Sequence, residues 1–248
     1  MPRPINQNIL EMANREIRQR KISEGIHLVG GASVAVTNAI AGALRTKTVW
    51  INPGHGLREN GATPGTSGVL DGRTYLEREV ALEISLHMKQ ILENHGITVH
   101  MSHTNLNDAL PNSNRGAPIN AASPGAVVSV HLDSHSTPEP RGILVFHSIP
   151  STSDSHRSVS ERLANAILQT FRESNSELFT KSNRVDPVRQ HMNYFLFNNT
   201  NGVRYPVPIA LLELGFMSNP SELRYILDNT FQIASNVSDG IINFLLGR

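Results

Sequence analysis

Glu213 stands alone among apolar neighbours, inside the run Ile209–Phe216, IALLELGF. An ionised carboxylate in so apolar a strand is costly unless it is paired or serves a cation. Such a setting raises its basicity, which suits work as a general base and acid. His131 ends a second apolar run, AVVSVHL, and Asp133 and His135 follow it at two-residue intervals. If that strand continued, all three would share a face. The expectation favoured here is that Asp133 and His135 lie in the following loop and support the site. His55 sits in Pro53-Gly54-His55-Gly56, just past the strand-like TVWIN. The flanking glycines permit another group to approach closely, although a turn histidine without a role would look the same. Glu77 opens the next helical stretch, accompanied by Glu79 and Glu83. A carboxylate in a first helical turn is also simply a good partner for the helix dipole, so spacing alone does not choose among the three.

The chain has no cysteine, which excludes disulfides and thiolate metal sites, whereas its 11 histidines suffice for an imidazole and carboxylate site. Two histidines, one carboxylate ligand and one further carboxylate form the donor set of a catalytic Zn2+. Such a site takes three protein ligands and keeps a position for water. The ion lowers the pKa of water and polarises a carbonyl, and the extra carboxylate moves the proton to the leaving group. That division of labour fits amide hydrolysis.

These residues need a scaffold, and the hydropathy pattern supplies one. Thr48–Asn52, Ile97–Met101, Ala126–Leu132, Ile143–Ile149 and Ile209–Leu214 read as strands, the last buried on both faces. Leu76, Val80, Ile84, Met88 and Leu92 recur every fourth residue, as do Val159, Leu163, Ile167 and Phe171, so each set predicts an amphipathic helix. Asn219-Pro220 opens a further helix as cap and first position, with Glu222 in its first turn. A last helix shows Phe231, Ala234, Val237, Ile241 and Leu245. The alternation implies an α/β fold, a mixed and largely parallel sheet flanked by helices on both faces. The stretch from Asn175 to Pro208, rich in Asn, Arg and Pro, reads as a long surface excursion.

The 248 residues divide near Lys47 into an N-terminal helical extension, 1–46, and a catalytic domain, 47–248. With 22 basic and 21 acidic residues the formal charge is only +1, which gives no electrostatic case for a nucleic-acid partner. Residues 26–44 carry no formal charge. Their glycines and polar residues make a helix packed on protein the favoured reading, ahead of export or membrane contact.

The segments INPGHG, LEREVALEISLHMKQILENHG, NRGAPINAA, VVSVHLDS and LLELGFMSNPSE occur in this order. In their order and spacing, the chain from Thr48 onward resembles the zinc-dependent N-acetylmuramoyl-L-alanine amidases, the catalytic-domain family of bacterial cell-separation enzymes and phage lysins. The resemblance implies one Zn2+ held by His55, Glu77 and His131, with Glu213 as the catalytic glutamate. Arg115, with Asn120 behind it, matches a recurrent segment that supports the site. Asp133 departs from the family, which usually has His-Ala-Asn where this chain has His131-Leu132-Asp133, so Asp133 is expected beside the ligands or as a further oxygen donor. The implied substrate is peptidoglycan, cut between N-acetylmuramic acid and L-alanine at the cell envelope. Export and phage delivery to the wall both fit. A zinc peptidase acting within the stem peptide, and a catalytically silent wall-binding module, are the competing readings.

Overall fold

The computed structural model describes residues 48–57, 62–147, 154–190, 203 and 207–247. The expected extension over 1–46, including the uncharged run 26–44, lies outside the described residues. Among the described residues no helix is long and apolar enough to cross a membrane.

Six strands form one sheet: β1 (Thr48–Pro53), β4 (Thr98–Met101), β5 (Ala126–Asp133), β6 (Ile143–His147), β7 (Val188–Gln190) and β8 (Ile209–Phe216), in the order β4-β1-β5-β8-β6-β7. The pairs β1–β4, β1–β5 and β5–β8 are parallel, and β6 runs antiparallel to β8 with β7 parallel to it. The helices are α1 (Glu77–Asn94), α2 (Gly116–Ala122), α3 (Asp154–Glu173), α4 (Glu177–Thr180), α5 (Pro220–Asp228) and α6 (Thr230–Leu246). This is the mixed, largely parallel α/β arrangement expected.

Among the described residues, the two faces of the sheet are covered unequally. Val128, Val130, Leu212 and Leu214 share one face and pack with Ile84 and Met88 of α1, Leu163 and Ile167 of α3, and Val237 and Ile241 of α6. The four-residue periodicities therefore mark the sides of the helices that meet the sheet. Trp50, Val127, Leu144 and Leu211 point the other way and meet Ile119 of α2 together with Val203 and Val207. Asn52, Ser129, His131 and Glu213 alternate with the first set along their strands, so they belong to this second, thinly covered face.

Several elements were not anticipated, the short helices α2 and α4 among them. A hairpin of β2 (Ser67–Leu70) and β3 (Arg73–Leu76) precedes α1. Its turn, Asp71-Gly72, has φ of +51° and +74°, the left-handed pair that two-residue hairpins favour and Asp-Gly supplies. The expected excursion over Asn175–Pro208 is not wholly on the surface. Its described part buries Leu178, Val203 and Val207, and adds β7 as an edge strand. A three-residue strand amid Pro, Asn and Arg leaves no periodicity to read.

Candidate active site

Each candidate residue arrives at the carboxyl end of the parallel strands by a different route. β1 ends at Pro53, and His55 follows in the left-handed region with φ of +63°. That conformation is strained for a side chain with a Cβ and is held by its surroundings. Arg115, only 1% exposed, holds it. Its Nη2 donates to the His55 carbonyl at 2.7 Å and its Nη1 to the Pro53 carbonyl at 2.9 Å, while Nε donates to the Leu110 carbonyl at 2.8 Å. Nη1 also reaches Asn52 Oδ1 at 3.3 Å, and Asn52 Nδ2 donates to Ser129 Oγ at 2.8 Å, tying β1 to β5 beneath the site. Burial pushes the Arg115 guanidinium down to about 10, which still leaves it charged at neutral pH.

Glu77 is the first residue of α1 and is 2% exposed, whereas Glu79 and Glu83 face solvent. Glu83 instead accepts a hydrogen bond from Thr230 Oγ1. The choice that spacing left open is thus made by packing. Glu77 Oε2 accepts from the Thr66 amide at 2.8 Å and Oε1 from the Leu132 amide at 3.2 Å. Burial alone would raise its pKa, but hydrogen bonds and charge from His131 and His55 outweigh this and hold the carboxyl well below its usual range. Burial pushes His131 down despite the opposing pull of Glu77. At neutral pH the pair is therefore a carboxylate and a neutral imidazole, the forms that bind metal.

Three donor atoms converge. His55 Nε2 lies 3.0 Å from Glu77 Oε1, and His131 Nδ1 lies 3.1 Å from Glu77 Oε1 and 3.1 Å from His55 Nε2. Among the described residues, these three form the group of imidazole and carboxylate donors able to hold a metal ion. The two rings meet edge to face, 4.8 Å between centroids. Glycines make this closeness feasible. A Cβ on Gly54 would stand 2.6 Å from His131 Nδ1, and one on Gly65 would stand 2.7 Å from Glu77 Oε2. Thr63 Oγ1, 2.9 Å from His55 Nδ1, orients that ring from behind.

Glu213, 8% exposed, is paired in register with His131 across β5 and β8. Residues opposite one another on adjacent strands project from the same face, with the strands about 4.8 Å apart. Asp133 ends β5 and does not join the three donors. Its Oδ1 accepts from the Ser134 amide at 2.7 Å, and its Oδ2 lies 3.5 Å from Arg184 Nη2. His135 is exposed, with Nδ1 near Thr137 Oγ1 at 3.1 Å.

Besides Thr63, two further residues near the site had no role in the sequence reading. Glu222, read there only as a first-turn residue, is 2% exposed and accepts from the Phe216 amide at 2.7 Å and the Gly142 amide at 2.8 Å. It anchors the end of β8, where Gly215 at φ +93° sits in the register shift that follows His131 and Glu213. Arg184 comes from the segment before β7, and nothing in the local sequence marks it.

Residues 49–243 match the family described as N-acetylmuramoyl-L-alanine amidase. The germination-specific N-acetylmuramoyl-L-alanine amidase of Bacillus subtilis is 25% identical over 216 residues, covering 81% of this chain and 81% of its own length. The probable cell wall amidase LytH of Staphylococcus aureus is 26% identical over 185 residues, which span 75% of this chain and 53% of LytH. The fold is similar to that of the N-acetylmuramyl-L-alanine amidase Ami1 from Mycobacterium smegmatis, with a TM-score of 0.66 at 22% identity over 83% of this chain and 99% of that one. With the family match running over most of its length, the chain belongs to the N-acetylmuramoyl-L-alanine amidase family.

Proposed function

We propose that the chain hydrolyses the amide between N-acetylmuramic acid and L-alanine in peptidoglycan, with one Zn2+ held by His55, Glu77 and His131 and with Glu213 as proton shuttle. The donor triangle carries this reading. Ligand atoms about 2.0–2.1 Å from a tetrahedral Zn2+ are spaced about 3.3 Å apart. The edges here are 3.0, 3.1 and 3.1 Å. Two imidazoles and a carboxylate also match the ligand types of catalytic zinc, and each ring nitrogen offers a cation its lone pair once it gives up its proton.

When bound, the ion supplies a polarised amide carbonyl and an acidified water. Glu213, next to His131 in register, is placed to take the proton from the attacking water. It then delivers that proton to the departing nitrogen. One C–N bond breaks, one C–O bond forms, and the products are a muramoyl carboxylic acid and a peptide with a free L-alanine amine. Arg115 contributes by fixing the strained His55 turn, and Thr63 by fixing the ring.

The substrate lies in the cell wall, and the LytH relatives bear the name probable cell wall amidase, so the reading puts this chain at the envelope, reached by export or by phage delivery. The test joins metal analysis to product analysis. The purified chain should hold one equivalent of zinc, lose it in Glu77→Ala, and release from peptidoglycan peptides that begin with free L-alanine. Absence of metal from the active protein would defeat the zinc assignment. Products cut within the stem peptide would instead establish a peptidase.

A further inference from the structure

We infer that Arg184 is a specificity-determining residue that binds a carboxylate of the stem peptide one residue beyond the scissile amide; this rests on the amidase reading above. The guanidinium lies over the Phe216 ring, 4.1 Å from its centroid, and 3.5 Å from Asp133 Oδ2. Phe216 and Asp133 face each other at the ends of β8 and β5, the strands that carry Glu213 and His131. Arg184 therefore caps the same two strands that supply the candidate chemistry, just downstream of it.

Its segment is fastened in place. The Asn183 side chain accepts from the Arg141 amide at 3.1 Å and donates to the Glu139 carbonyl at 3.0 Å, while the Asn183 amide donates to the Arg141 carbonyl at 3.3 Å. The Arg184 amide donates to Ser182 Oγ at 3.1 Å. A planar fork stacked on an aromatic ring and carried by a fastened loop loses little freedom on binding.

Its Nε is buried without a hydrogen-bond partner, so the exposed part of the fork is its Nη end. The contact with Asp133 is long and reaches one nitrogen, and 21% of the side chain faces solvent. Arg115, by contrast, spends its donors on Leu110, Asn52, Pro53 and His55 and is buried. Glu222 accepts from the Phe216 and Gly142 amides and feels the Arg184 charge from nearby, but it makes no direct ion pair with the fork among the described residues.

The reach agrees. His131 and Asp133 are two strand residues apart, about 6.6 Å. In the substrate, the free carboxylate on the second stem residue lies two residues beyond the scissile carbonyl. An extended chain covers that distance at about 3.3–3.6 Å per residue. A carboxylate there meets a guanidinium, the group best shaped to bind it through two parallel hydrogen bonds.

The experiment compares two small substrates with the zinc-loaded full chain. One is N-acetylmuramoyl-L-alanyl-D-glutamate, and the other bears a carboxamide in place of its free α-carboxylate. The wild type should prefer the carboxylate by about tenfold or more in kcat/KM, because a site built for a hydrogen-bonded partner penalises its loss. Arg184→Gln should abolish the preference by raising KM for the carboxylate substrate alone, and Arg184→Lys should restore part of it. Equal cleavage of both substrates by the wild type would overturn the inference while leaving the amidase reading intact. An equal loss on both substrates in Arg184→Gln would overturn it too, since a merely structural arginine behaves that way. Failure of the wild type to free the L-alanine amine from either substrate would instead remove the amidase reading, and this inference with it.

Discussion

The two faces of the central sheet are built from the same strands and yet do opposite work. Val130 and Leu132 point into the core under α1, α3 and α6, and His131 between them points to the other side. Leu212 and Leu214 likewise bracket Glu213. The strand period of two turns one continuous apolar sequence into a hydrophobic face and a chemical face. The face under three long helices is apolar and fully buried. Among the described residues the other is covered by α2 and a few residues of the later segment, and it carries the Glu213 carboxylate and the His131 imidazole. A residue's effect should therefore depend on which side of its strand it occupies, even between sequence neighbours.

The largest effect is expected at the chemical face. Glu213→Gln keeps the shape but cannot accept a proton. It should retain zinc and its melting temperature while kcat falls by about 10³-fold, within the usual range for a general base. Stem-peptide release at the normal rate would break the assignment. One position earlier, Leu212→Ala should do the reverse. Truncating a fully buried leucine costs about 2–5 kcal/mol. Urea unfolding should show that loss, with kcat per folded molecule within a few-fold of wild type. A collapse of kcat with little loss of stability would show that the faces are not separable.

A smaller effect sharpens the comparison at the chemical end of the sheet. His103, 4% exposed beyond β4, is pushed down to about 4 by burial and then by the Arg115 charge, against the pull of Asp108. Its folded pKa is below the unfolded value, so the native protein keeps it neutral while the unfolded chain takes up the proton first. Stability from this residue is full above about pH 6.5 and is lost as the pH falls towards 4, by roughly 3 kcal/mol. Urea midpoints between pH 7 and 4.5 should therefore fall less in His103→Leu than in wild type. Parallel declines would show that other groups govern acid sensitivity.

Much of the scaffold was legible because its signals are local. The fourfold spacing of Val80, Ile84, Met88 and Leu92 marked α1, and Asn219-Pro220 marked the start of α5, where Asn219 Oδ1 does accept from the Glu222 amide at 3.1 Å. The glycines around His55 were read as room for a close neighbour, and Gly54 against His131 is that neighbour. The Asp71-Gly72 hairpin carried a local signal too, although the sequence reading did not include it. Arg184, Thr63 and the anchoring role of Glu222 carried none, because each acts on residues distant in sequence or through a loop whose path has no periodicity.

The sequence by itself determined the five longer strands and the four longer helices, the isolation of Glu213 in an apolar run, and, through the order of its motifs, the resemblance that pointed to His55, Glu77 and His131. Those follow from periodicity and burial cost, which act within a few residues. Only the tertiary structure decided that Glu77 turns inward while Glu79 and Glu83 face water. It alone set three donor atoms 3.0–3.1 Å apart, aligned Glu213 with His131, and turned Asp133 towards Arg184 and away from the donors. Those outcomes depend on parallel pairing between strands nearly eighty positions apart, and no local pattern encodes such a register.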